Sequence, residues 1–203
     1  MYFVRTPYII KKLYPEIIWN KPSAGNTIYL TFDDGPHPEI TPWITDQLER
    51  FHVKATFFCL GQHAEKFPGI IHQLKEKGHR IGNHSFSHFN GWKTQNEEYF
   101  KDIKKADQII NSKLFRPPYG KLKRSQYSIL STQYSIYNFS LMPGDFDISI
   151  SSARCLDRLK TVRPGDIICL HDNEKSWPHL SKILPAWLEF ITGLHFNTAT
   201  LPD

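Results

Sequence analysis

The feature that most limits how this chain can fold is an alternation of strand-like and helix-like runs, from residue 27 almost to the end. Residues 27–32 are apolar without a polar beat, the pattern of a strand buried on both faces, and residues 41–51 then place Ile44, Leu48 and Phe51 on one helical face. Residues 54–60 give the next strand, a helix runs from about 63 to 77 until Gly78 ends it, and 80–83 form a short strand. The clearest amphipathic helix covers 95–112, with Phe100, Ile103, Ala106 and Ile110 in register. A short strand at Leu114-Phe115, a helix near 124–132, a strand near 135–141, a helix over 152–162, a strand over 166–170 and a helix over 180–191 complete the series. This order predicts a single α/β domain whose largely parallel sheet, open or closed into a barrel, carries its helices outside.

In both forms, functional groups collect at the carboxyl ends of the strands. Four polar motifs fall there: FDDGP from Phe32, HSFSH from His84, RPPYG from Arg116 and LHD from Leu170. Asp33 and Asp34 are adjacent, so a continuing strand would point them to opposite faces. Gly35-Pro36 ends the strand and frees both to reach one place. Two neighbouring carboxylates repel, and a cation beside them removes that cost.

His84 and His88 are spaced i, i+4, at metal-binding reach on a helix or tight turn. Ser85 stands where a zincin has its glutamate, so the base and a third ligand have to come from elsewhere. FDDGP supplies both: one aspartate completes a set of two histidines and one carboxylate, and its neighbour serves as a base. The same set also suits non-haem iron oxygenases, and one of the aspartates alone could shape a turn. Arg116 enters a stiff Pro-Pro loop suited to orienting a carboxylate, although taken alone it reads better as a surface arginine. His171, emerging at the end of the apolar run DIICL, stands where a general acid would.

Composition narrows the partners. The 203 residues carry a net charge of +5 with scattered basic residues, which argues against a nucleic-acid partner. The aromatic share of 14% suits a core and also ring-lined grooves. Cys59, Cys155 and Cys169 show no CxxC spacing, and Cys59 and Cys169 lie in apolar runs, so free buried thiols are expected. Arg5, Pro7 and Lys11 interrupt any signal-like apolar stretch, and no run reaches the roughly twenty apolar residues of a membrane span. The expectation is a monomer without a visible export signal.

Taken in order, TFDDGP, HSFSH, RPPYG, a GDF segment and LHD resemble the motif series of the polysaccharide deacetylases, carbohydrate esterase family 4, across residues 28–172. The resemblance implies a distorted (β/α) barrel and metal-dependent removal of acetyl groups from N-acetylglucosamine units, or from O-acetylated xylan in some members. It implies Asp33 as catalytic base and Asp34, His84 and His88 as ligands of a divalent metal, zinc first, with cobalt, nickel, manganese and iron as other candidates. Tyr119 would lend its backbone N–H to the oxyanion, Arg116 would sit beside the base, and His171 would be the acid, held by Asp145. Pro118, Phe146 and Cys169 would line the substrate site.

Residues 27–203 would form the catalytic domain, with 1–26 as an N-terminal extension packed on it. Departures fall in the fourth motif: Met142 occupies the place of its first aspartate, and Asp145-Phe146 replaces an aspartate-tryptophan pair. Cys169 stands where leucine is frequent. These bear on the acetyl pocket and the glycan groove, and leave a catalytically silent glycan-binding domain as a further reading.

Overall fold

A computed structural model of the chain describes residues 2–22 and 25–203; Met1, Ser23 and Ala24, part of the expected extension, lie outside the described residues. The elements run α1 (Tyr8–Leu13), β1 (Thr27–Asp33), α2 (Ile40–Arg50), β2 (Thr56–Cys59), α3 (Gly61–Lys66), α4 (Pro68–Glu76), β3 (Arg80–Asn83) and α5 (Asn96–Ile110). They continue with β4 (Leu114–Phe115), a 3-10 turn (Pro118–Gly120), α6 (Arg124–Leu130), β5 (Ser135–Ile136), α7 (Ser152–Leu159), β6 (Ile167–His171), α8 (Trp177–Gly193) and β7 (Asn197–Thr198).

The strands line up in the order β5-β4-β3-β2-β1-β6, with every pair parallel, and β7 flanks the start of β1. β1 is central and covered on both faces: Ile28, Leu30 and Phe32 are fully buried, and so is Thr31 between them. Phe32 stacks on Phe57 of β2 with centroids 5.0 Å apart, and helix α8 closes that layer through Leu184, Trp187 and Leu188.

Residues 137–141 decide whether the sheet stays open. The Tyr137 N–H donates to the Phe115 carbonyl at one edge, and the Cys169 N–H of β6 donates to the Leu141 carbonyl at the other. One irregular segment thus spans both edges and curls the sheet into a distorted barrel. Residues 4–6 and 18–20 hydrogen-bond onto this closing segment: the Met142 N–H to the Val4 carbonyl, the Thr6 N–H to the Ser140 carbonyl and the Asn138 N–H to the Ile18 carbonyl.

Two expectations need correction. The single helix over 63–77 is two, α3 and α4, because Pro68 brings no N–H and begins a new helix after Phe67. The strand over 135–141 is regular only in β5, since its remainder leaves one edge for the other. No helix among the described residues is long and apolar enough to cross a membrane.

Candidate active site

The strand order puts the carboxyl ends of β1, β2, β3, β4 and β6 side by side, and the four polar motifs meet there. Asp33 is the last residue of β1, paired in register with His171 of β6. The chain then turns sharply: Asp34 has φ +83°, and the turn is held by the Asp34 N–H on the Phe58 carbonyl, the Leu60 N–H on the Gly35 carbonyl and His63 Nδ1 on the Asp34 carbonyl at 2.8 Å. This bend turns two consecutive side chains toward one cavity.

Below the turn, Asp172 accepts from the Gly35 N–H at 2.8 Å and from Thr41 Oγ1 at 2.7 Å. Burial raises its carboxyl to about 8 despite those hydrogen bonds. Position 35 has to be glycine, because a Cβ there would lie 1.9 Å from Asp172 Oδ2.

The HSFSH motif is a loop, not a helix, with positive φ at Ser85 and His88. Asp102 of α5 shapes it by accepting from the Phe86 and Ser87 amides. The i, i+4 spacing still brings the two imidazoles together, with ring centroids 5.2 Å apart. His84 Nδ1 lies 2.7 Å from the Arg116 carbonyl, so it carries the proton and donates, which leaves the Nε2 lone pair facing Asp34 at 3.5 Å. Burial keeps this imidazole neutral, with its pKa lowered to about 4.

His88 Nε2 is 3.2 Å from Asp34 Oδ1, yet that buried oxygen has no hydrogen-bond partner. Its sister oxygen accepts from Asn173 Nδ2 at 2.7 Å. Burial by itself raises the Asp34 carboxyl, but the approach of His88 and the fields of His171 and His84 hold it well below the usual range. An orphaned carboxylate oxygen facing two imidazole nitrogens, all within 4.8 Å of one another, fits a divalent cation.

Asp33 stands beside this cluster and is held differently. Arg116 Nη1 donates to Asp33 Oδ1 at 2.7 Å and to Thr31 Oγ1 at 2.6 Å, while Cys169 Sγ lies 3.3 Å from Asp33 Oδ2. The surface reading of Arg116 is thereby overturned: the side chain is 1% exposed and its guanidinium lies 4.1 Å above the Phe58 ring. Opposite, Asp145 accepts from the His171 backbone N–H at 2.8 Å and lies 3.0 Å from His171 Nδ1. Burial pushes the His171 pKa down, but the Asp145 carboxylate and the Cys169 sulfur outweigh it and raise it well above the ordinary value.

A cavity of about 430 Å³ opens over these groups, lined among others by Asp33, Asp34, His84, His88, His171 and Tyr119. Tyr119 sits in the 3-10 turn with φ +60° and its ring 4.5 Å from His88. Phe146 and Cys169 also line the cavity, whereas Pro118 is buried and, like Arg116 and Asp145, does not. Met142 lines the wall in place of an aspartate. All three cysteines are free and buried.

Sequence reasoning missed Asn173, Asp102, Tyr2 and Lys175. Tyr2 packs edge-on against Phe146 at 5.0 Å, and Lys175 Nζ lies 5.3 Å from the same ring. Only Asn173 carried a signal, its place directly after LHD.

The profile of the family described as polysaccharide deacetylase matches residues 20–134, more than half of the chain, and the chain belongs to that family. The match contains Asp33, Asp34, His84, His88, Arg116 and Tyr119 and stops before Asp145 and His171. Among curated relatives, a peptidoglycan-N-acetylglucosamine deacetylase of Bacillus cereus is 38% identical over 78% of this chain, which spans 62% of that protein's length. A chitooligosaccharide deacetylase of Azorhizobium caulinodans is 34% identical over 72% of this chain and 74% of its own. Among solved structures, a peptidoglycan N-acetylglucosamine deacetylase in complex with 4-naphthalen-1-yl-N-oxidanyl-benzamide superposes with a TM-score of 0.83 at 33% identity, covering 97% of this chain and 95% of that one.

Proposed function

We propose that the chain is a metal-dependent hydrolase that removes acetyl groups from N-acetylglucosamine-type glycans. The observation that carries this is the pairing, in one cavity, of an orphaned Asp34 oxygen facing His84 and His88 with a separately anchored Asp33 and an opposed His171. Family membership and relatives named as N-acetylglucosamine deacetylases support it.

Asp34, His84 and His88 would hold the cation, and two imidazoles with one carboxylate suit zinc. When bound, the cation supplies Lewis-acid polarisation of a carbonyl oxygen and acidifies water. Asp33, fixed by Arg116, takes a proton from the attacking water as the new C–O bond forms. The Tyr119 backbone N–H donates to the carbonyl oxygen as it gains charge. His171, kept protonated by Asp145, gives its proton to the departing nitrogen as the C–N bond breaks, releasing acetate and an amino sugar. Phe146 and Cys169 line the acetyl end of the site, and residues 27–203 constitute the catalytic unit.

Acetate release from chitooligosaccharides, peptidoglycan fragments and acetylxylan, measured after chelation and add-back of single metals, tests this. Zinc-restored release from the N-acetylated substrates is expected. Binding without release would instead establish a silent glycan-binding domain, and release confined to acetylxylan would move the reading to O-deacetylation.

A further inference from the structure

Beside the catalytic cavity lies a second one of about 430 Å³, with walls of different chemistry. Its outer side comes from the N-terminal segment, through Phe3, Ile10, Leu13 and Ile17, and Trp92 and Leu122 line it as well. The two cavities share Tyr2, Tyr119, Gly120, Lys121, Phe139 and Met142 as lining residues, so the second is a continuation of the first.

Five of the polar side chains along this groove are committed to the protein itself, which leaves Tyr14, Tyr119 and Lys121 to meet a ligand. Trp19 Nε1 donates to the Tyr14 carbonyl, Trp92 Nε1 to the Leu122 carbonyl and Thr6 Oγ1 to the Phe139 carbonyl. Asn138 uses its amide on the Gly120 carbonyl and the Phe139 N–H, and the Tyr2 hydroxyl is held between Asp147 and Arg158. A further sugar ring would bury several hydroxyls, each of which has to find a partner, and these walls offer few. A hydrocarbon chain has no such requirement and gains by leaving water. The rim fits the same occupant: Phe3 is 48% exposed, Leu13 54% and Trp92 55%, an unusual cluster of open apolar side chains at the edge of one cleft.

We infer that this groove receives the aliphatic chain of an amphipathic substrate, so that the chain acts on N-acetylated glycolipids with the acetamido sugar in the catalytic cavity and the alkyl or acyl tail along the N-terminal segment. This rests on the deacetylase reading and names its substrate class. Met142 carries part of the continuity: on the wall common to both cavities, where Lys121 sets the one charge, it keeps its own position apolar.

The test compares acetate release from methyl and octyl β-glycosides of N-acetylglucosamine, and from chitotriose, below the micelle threshold of the octyl compound. The octyl glycoside is expected to exceed the methyl one in kcat/KM by about tenfold or more, from burial of its methylenes. Leu13→Glu and Trp92→Ala, both at open positions, should remove that advantage and leave the methyl glycoside rate unchanged. Equal rates for methyl and octyl glycosides overturn the inference, as does an octyl advantage that survives both variants. A chitotriose advantage lost in the variants, with no octyl gain, also overturns it, because the groove is then a sugar subsite.

If none of the three releases acetate, the deacetylase reading fails on its own, and the groove is judged by binding. Saturable quenching of tryptophan fluorescence by the octyl but not the methyl glycoside, lost in Leu13→Glu, supports the inference, and its absence overturns it.

Discussion

The catalytic cavity and the groove beside it share a wall but are built by opposite rules. In the cavity the central polar side chains are fixed by protein partners: Asp33 by Arg116, Asp34 by Asn173, His84 by the Arg116 carbonyl and His171 by Asp145. In the groove Trp19, Trp92 and Thr6 turn their polar atoms into the protein, and open apolar side chains form the rim. The first region sits on parallel strand ends, where backbone geometry is rigid; the second rests on residues 2–19, attached through a few backbone hydrogen bonds to the closing segment. Precision is concentrated where atoms must react, and shape is delegated to a part of the chain that can vary without disturbing them.

Substitutions should expose this difference, most strongly in the cavity. Asp33→Asn removes the proposed base and keeps a side chain of the same size, so acetate release should fall by about 10²–10⁴-fold while bound metal, read by elemental analysis, stays stoichiometric. Loss of metal in that variant would merge two roles that the geometry keeps apart. Asn173→Ala frees Asp34 Oδ2 from its anchor, and metal affinity, titrated against a chelator, should drop about 10–100-fold, with turnover recovering at excess metal.

Asp145→Asn should act through pH. In the native chain the raised pKa of His171 keeps this proposed acid protonated as pH climbs past 6.5, so the alkaline limb of kcat should fall only above that raised value. Without the Asp145 charge the limb should move toward lower pH, leaving the acidic limb in place; an unmoved profile would detach Asp145 from the acid. The smallest effect belongs to the groove: Phe3→Ser, at a half-open position, should change release from a methyl glycoside by less than about twofold and thermal stability by no more than about 0.5 kcal/mol.

The cavity was legible because its residues are polar exceptions placed after apolar runs, and the strand order follows from those runs. Their supports were not. Asn173 lies 139 residues from Asp34, and Thr31 lies 85 from Arg116, so no local pattern connects them. Taken alone Arg116 reads as a surface residue; the motif resemblance set it beside the base, and only the fold shows Asp33 and Phe58 around it. The helix over 63–77 was misjudged because apolar periodicity passes through Pro68, whereas the backbone hydrogen-bond ladder does not. The groove was invisible because residues 2–19 show no repeating pattern, and only the contacts of Tyr2, Val4, Thr6 and Ile18 with distant segments give them a place.

Arg116 serves two clients through separate parts of itself: its guanidinium reaches Asp33 and its carbonyl reaches His84. Every amino acid has a carbonyl, so an uncharged replacement at this position retains that acceptor while withdrawing the guanidinium. A single site in the gene therefore divides the apparatus into an inherited part that no point mutation can delete and an optional part that selection can adjust. Variation here would therefore bear on the Asp33 carboxylate directly and on His84 only through the backbone.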